Sequence, residues 1–450
     1  MPAALLFVIF VVLLVIAIPV SITLGIASVL PSVFDPSFTV GAKYLIRAMF
    51  GGLDSFPLLA VPMFVLSGII MAKGGISKKL FDIFAFFLGN FTAGMPCAVI
   101  VTCLFYGAIS GSAPATVAAV GSMTIPILSA LGYDRTFSTA IVAVAGGLGV
   151  IIPPSIPFIM YGMASGASVS SLFLAGVIPG LMIGLLLMLY AIYHCRRYGE
   201  DREKIHAEIH LLHEKGLFRV LRESFFALLS PVIILGCIYS GIASPTEAAV
   251  ISVFYALFVS LFLYRTMKFR DIPPIFVEAI RTFTPILFIL AASTAFSRVL
   301  TLMQVPQAVS SFILEHFNSP VMILLVINLF LLIVGMVMDT TPAILILTPI
   351  LLPIVTAINM DPVQFGVIMV VNRTPADRRQ PLCRQLPDRR PDHGDRQKSD
   401  ADDWIVPGGA AADYVYTGFV AGIVIMLNGR LEMLKFRKIS YNDLLHAFRL

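Results

Sequence analysis

Apolar runs of membrane-spanning length alternate with short polar loops up to Asn372, and the runs that break inform more than those that do not. Met1 to Leu30 is uniformly apolar and longer than the roughly 7–15-residue core of a secretory leader. It is expected to stay in the membrane with a kink at Pro19. Gly52 to Ala72 reads as the next span, closed by Lys73-Gly74-Gly75 with Lys78 and Lys79 behind it. Leu80 to Leu88 is apolar and aromatic, but at about half the ~20 residues a span requires it fits an interfacial or buried helix. Ser171 to Tyr193, Phe225 to Ser240, Glu247 to Tyr264, Ile272 to Met303 and Val321 to Gly335 complete the plain spans.

Two apolar stretches are interrupted where a spanning helix should be regular. Met95 to Leu128 carries Ser110-Gly111-Ser112-Ala113-Pro114 near its middle. A straight helix of that length would measure about 50 Å against a hydrocarbon core of about 30 Å, so a re-entrant hairpin turning at Ser112 is predicted. Phe137 to Met163 is interrupted by GGLGVIIPP, where glycine frees the backbone and Pro153 and Pro154 lack donors; a discontinuous helix follows. Irregular backbone at membrane depth persists only where protein or a polar cavity satisfies it, so the two breaks read together as a binding site.

The pattern returns. Met338-Asp339-Thr340-Thr341-Pro342 is again a polar, proline-closed break, and Pro353 precedes Asp361 by the same spacing that separates Pro126 from Asp134. Pairing Pro126 with Pro353 gives an offset of 227 residues. Repeats of this kind place a site at mid-membrane between two related halves. The offset also predicts a second glycine- and proline-rich break near residues 376 to 381, and the sequence there does not contain it.

Composition agrees with the pattern: 58% hydrophobic, 13% charged and a mean hydropathy of +0.92, against about 25% charged in soluble domains. The fold class expected is an all-α polytopic membrane protein with inverted repeats, two re-entrant hairpins and discontinuous helices. The net charge of +5 does not call for nucleic acid, because Lys and Arg gather in loops. The segment Arg196 to Glu223 is the chief of these, a linker expected to be helical and cytoplasmic. Five cysteines show no metal or redox spacing. No histidine or lysine lies inside a mid-membrane segment to serve a serine nucleophile as base, so an enzyme is not expected. Asp134 and Arg135 read as a turn pair and Glu247 as a helix-start carboxylate. Arg298 is a charge inside an apolar span with no evident acid partner and no assigned role.

At Asn372 the character changes. Residues 373 to 403 hold 15 charged side chains in 31 positions, with Pro375, Pro381, Pro387 and Pro391 among them. The segment reads either as a charged disordered loop or as out-of-frame translation of a GC-rich gene, and residues 404 to 450 do not restore the missing break.

The motifs LDSFPLLAVPMF, LFYGAISGSAPATVAAVGS, GYDRTFSTA, GLGVIIPPS, SPTEAAV and GMVMDTTPAILILTPILLPI with DPVQFGVIMVVN resemble those of the large membrane subunit of the tripartite ATP-independent periplasmic (TRAP) transporters, over residues 1 to 372. The resemblance implies a multi-pass protein of the bacterial inner membrane, working as an elevator-type secondary transporter driven by Na⁺ as coupling ion. It implies two partners, a small four-helix membrane subunit and a periplasmic solute-binding protein, and an organic acid substrate such as a C4-dicarboxylate, sialic acid, another sugar acid or a keto acid. A first sodium site would use Ser110, Ser112, Gly149, Ile152 and Pro154. A second would use Asp339, Thr340 and Thr341, incomplete here without its broken helix, and Gly111, Ala113, Pro114 and Pro342 would contact substrate. The implied division is scaffold over 1–92, first hairpin and broken helix over 93–165, scaffold over 166–300 with the linker 194–224, and second repeat over 301–372. The competing expectation is a transport-inactive, frame-shifted or truncated permease subunit.

Overall fold

The computed structural model describes residues 3–16, 18–34, 41–317 and 319–372, and in them every regular element is helical. The expectations for 373–403 and 404–450, and for the missing break near 376–381, lie outside the described residues. The first apolar run divides as expected at Pro19 into α1 (Ala3–Val15) and α2 (Val20–Phe34). The span read over Gly52 to Ala72 is present but starts at Phe56, and its first residues belong to a separate helix. Helix α3 (Ala42–Leu53) ends at Asp54, a tight turn runs over Phe56–Leu59, and α4 (Ala60–Lys73) follows. Pro57 explains the restart, since its missing N–H is harmless only in a first turn.

Helix α5 (Ile76–Leu88) is the short element predicted around Leu80, and α6 (Gly94–Ser110) and α7 (Ala113–Ala130) form the hairpin. The discontinuous helix is α8 (Arg135–Gly147), a tight turn over Leu148–Val150, and α9 (Ile156–Ser165). Helix α10 (Val169–Tyr198) leads into the linker, which is helical as α11 (Arg202–Glu214). Helices α12 (Leu217–Tyr239), α13 (Pro245–Phe258) and α14 (Ile272–Leu302) are followed by α15 (Val305–His316), an element not expected between the spans read over Ile272 to Met303 and Val321 to Gly335. Last come α16 (Pro320–Val337), α17 (Thr340–Ala357) and α18 (Pro362–Val371). Among the described residues seven helical stretches are long and apolar enough to cross a membrane.

The helix starts follow from local chemistry. The Asp134 carboxylate accepts from the Phe137 N–H at 2.9 Å and starts α8. Asp361 does the same for α18 through the Val363 N–H at 2.6 Å. Ser244 and Glu247 form a reciprocal capping box at α13, so Glu247 has the helix-start role read from sequence.

The 227-residue offset holds in three dimensions. Applied to both ends of α7 it gives the ends of α17, and applied to the start of α8 it gives the start of α18. Applied to α5 it lands within two residues of α15. Each half therefore has a short helix, a hairpin and a capped entrance to a broken helix. The halves meet where α9 crosses the second repeat: Tyr161 donates to the Pro362 carbonyl at 2.6 Å, and Gly366 lies under the Tyr161 ring.

The linker is tied to the first hairpin. Glu200 accepts from the Ala93 N–H at 2.9 Å and from the Tyr133 hydroxyl at 2.6 Å, which fixes both ends of the α6–α7 unit. Burial, and then the Glu200 carboxylate, push the Tyr133 hydroxyl far above its usual range, so it stays a donor. Glu200→Ala strands two donors, and each buried unpaired group costs about 1–3 kcal/mol. The expected result is a lower melting temperature with insertion unchanged, read by thermal unfolding of the purified protein.

Candidate functional site

The hairpin tip turns at Gly111, whose φ of +60° lies in the left-handed region that favours glycine. Its carbonyl accepts from the Ile156 N–H of α9 at 3.2 Å, so the tip is bonded to the far side of the broken helix. Ser110 is fully buried, and its Oγ lies 2.9 Å from Thr116 Oγ1. Thr116 Oγ1 also lies 2.9 Å from the Ser112 carbonyl, to which it donates, and Ser110 Oγ stands 3.4 Å from the same oxygen.

The broken helix closes on this cluster at Gly149. A Cβ there would stand 2.5 Å from Thr116 Oγ1 and 3.2 Å from the Ser112 carbonyl, so only glycine admits the approach. A Cβ on Gly111 would stand 2.8 Å from the Pro154 carbonyl. Four of the five residues expected at the first site, Ser110, Ser112, Gly149 and Pro154, are thus brought together. Ile152 is buried, with its side chain set against Gly180 of α10. Ser155 holds the break open from within: its Oγ donates to the Val150 carbonyl at 2.5 Å and accepts from the Phe158 N–H at 3.3 Å.

Sequence reasoning missed Thr116 and Ser155. Thr116 falls four residues after Ser112, one helical turn into the return helix, and that spacing was the available signal. Ser155 immediately follows the proline pair, the capping position for a restarted helix.

At the second tip Asp339 caps α17, its carboxylate 2.7 Å from the Thr340 N–H. Asp339 is exposed, Thr340 and Thr341 are half-buried and Pro342 is buried. Beyond them α18 runs into the interior. Asn372 is 2% exposed and its side-chain amide donates to Asn328 of α16.

A cavity of about 1130 Å³ lies between α9 and α17 on one side and α3, α13 and α14 on the other. Ile159, Gly162, Met163, Leu345 and Pro349 give it one apolar wall. Its charged lining residues are Arg47 and Arg298. The starts of α10 and α13, at Val169 and Ser244, also line it, so it lies at the ends of those helices opposite the Arg-rich linker. Gly111, Ala113, Pro114 and Pro342 do not line this cavity.

Over residues 7–377 the chain matches the family described as the tripartite ATP-independent periplasmic transporter, DctM component. The chain belongs to that family. As a DctM component it is 41% identical over 371 residues to the isethionate TRAP transporter permease protein DctMQ of Oleidesulfovibrio alaskensis, covering 82% of this chain and 57% of that protein's length. It is 42% identical over 324 residues to the C4-dicarboxylate large permease protein DctM of Pseudomonas aeruginosa, covering 72% of this chain and 74% of the other. With the 2,3-diketo-L-gulonate large permease protein YiaN of Escherichia coli it shares 36% over 334 residues, 73% of this chain and 76% of that one. In fold it is similar to the Neisseria gonorrhoeae MtrF transporter, with a TM-score of 0.56 at 14% identity over 94% of each chain. Alcanivorax borkumensis YdaH gives 0.54 at 14% identity over 95% of this chain and 96% of that one. DctM components are multi-pass permease subunits of the bacterial inner membrane, not enzymes.

Proposed function

We propose that this DctM component carries a small organic acid inward in symport with Na⁺, with a small membrane subunit and a periplasmic solute-binding protein as partners. The observation that carries the reading is the oxygen cluster at the first tip. It consists of Ser110 Oγ, Thr116 Oγ1 and the Ser112 carbonyl, closed by the broken helix at Gly149 and Pro154. A hard monovalent cation takes hydroxyl and carbonyl oxygens, and unwound backbone at a repeat interface provides them. Ser110, Thr116 and the carbonyls of Ser112, Gly149, Ile152 and Pro154 would hold the ion, with Asp339, Thr340 and Thr341 serving the second half. A bound Na⁺ supplies positive charge beside which an organic anion is favoured. The residues themselves hold the tip against the broken helix, so hairpin and α9 move as one body. An elevator movement of that body against α3, α13 and α14 fits the apolar wall that separates them.

The test is uptake of radiolabelled succinate into proteoliposomes that also hold both partners, with an inward sodium gradient or with choline in its place. Uptake is expected only with sodium, and Thr116→Val is expected to raise the sodium concentration needed for half-maximal uptake about tenfold, the equivalent of ~1.4 kcal/mol. Equal uptake in choline, or without the binding protein, would refute the reading.

A second reading is favoured by the switch at Arg373, where the register of α18 should continue: the chain as written is a transport-inactive product of a frame slip, with its first half-site intact.

A further inference from the structure

We propose that Arg47 and Arg298 form an anion-capture subsite in the outward cavity, which binds the oxyanion head of the substrate before it reaches the hairpin tips. The inference rests on the organic-acid reading above and gives Arg298 a role.

The two residues come from separate elements, Arg47 from α3 and Arg298 from α14. These helices cross closely, since a Cβ on Gly52 would stand 2.4 Å from Thr294 Oγ1. Arg47 lies five residues before that crossing on one helix and Arg298 four residues after it on the other. Both side chains are exposed to the cavity they line, and neither forms a salt bridge among the described residues. Among the described residues no carboxylate lines the cavity; Asp54 and Glu247, the described acids nearest in sequence to its rim, are not among its lining residues, and Glu247 is committed to Ser244.

An ionisable group within an apolar span is costly and is kept where it faces a polar cavity. Two guanidinium groups with no acid in one low-dielectric cleft raise the local concentration of anions. Their planar forks match a carboxylate or sulfonate through paired hydrogen bonds. The cavity opens opposite the linker that holds α11, and the seven Lys and Arg between Arg196 and Glu223 place that linker in the cytoplasm. The arginines therefore face the periplasm, where a solute would arrive. The opposite wall is apolar and belongs to α9 and α17, so the subsite sits across from the elements that carry the tips. Arginines that merely reached out to lipid headgroups would not set the potential inside the cavity.

The experiment reads that potential without relying on transport. Thr301→Cys, one turn from Arg298 on the lining face, is labelled in intact cells with an anionic and a cationic methanethiosulfonate reagent, and labelling of the parent chain is subtracted. The anionic reagent is expected to react faster. The rate ratio is expected to fall about tenfold in Arg47→Gln or Arg298→Gln and to be restored by Arg298→Lys. Succinate and isethionate are added as separate protecting anions, and at least one is expected to slow the anionic reagent. A ratio unchanged by both glutamine variants overturns the subsite. A ratio that falls with no protection by either anion overturns the assignment of substrate to it. Failure of the organic-acid reading is seen separately, as absent succinate uptake in the proteoliposomes.

Discussion

In the Gly149→Val chain, sodium will no longer raise the melting temperature that it raises in the parent. A ligand that binds the native state alone stabilises by RT ln(1 + [L]/Kd), about 2.7 kcal/mol at a hundredfold excess over Kd, and the parent should show that shift in NaCl against choline chloride. Valine at 149 cannot coexist with the present tip, because even its Cβ would stand 2.5 Å from Thr116 Oγ1 and 3.2 Å from the Ser112 carbonyl. Something must yield. The backbone of the broken helix is held by Ser155 and by the Ile156–Gly111 hydrogen bond, so the hairpin tip is displaced and the oxygens of Ser110, Ser112 and Thr116 separate. Overpacking alone costs about 1–3 kcal/mol, so the variant will also melt earlier in choline. The sodium-dependent increment is what discriminates: a variant with a lower melting temperature and the parent's full sodium shift would mean that the cation binds elsewhere.

The hairpin and the break were legible because both violate the rules for a spanning helix. The length of Met95 to Leu128 and the glycine–proline run at 146–154 each have few structural solutions in a bilayer. The offset of 227 was legible because turn chemistry repeats even where side chains do not: Asp134 and Asp361 cap corresponding helices. What sequence did not reveal was α15, which falls between the spans expected over Ile272 to Met303 and Val321 to Gly335. At 12 residues it is shorter than the roughly 20 a span requires, so a reading by span length passes over it. Thr116 was hidden for a different reason. A threonine in an apolar helix ordinarily satisfies itself on its own backbone, as Thr124 and Thr348 do here. Its reach to Ser110 exists only once the hairpin is closed. Arg47 and Arg298 are 251 positions apart, and no local pattern joins them.

Sequencing the gene across the codons for Asn372 and Arg373 is expected to reveal an insertion or deletion, and the corrected frame is expected to encode a glycine- and proline-rich run near residues 376 to 381. Adding the repeat offset to the bounds of α8 carries α18 from Pro362 to position 374, with the break just beyond. Up to Asn372 the chain meets that demand: residues 365–372 are all buried, Gly366 packs on Tyr161, and Asn372 bonds to Asn328 in the interior. From Arg373 the sequence places Arg, Asp and Pro where the second repeat requires a glycine-rich turn at membrane depth. A charge at the centre of a spanning segment costs about 2.5–3.5 kcal/mol on insertion scales, and residues 373 to 379 carry four. The corrected chain should then complete the half-site that begins at Asp339, and its sodium-coupled succinate uptake should exceed that of the chain as written by at least about tenfold. If no frame contains the run, the slip is refuted. If both chains transport equally, the second half-site is dispensable and the tip at Ser110 to Pro114 works alone.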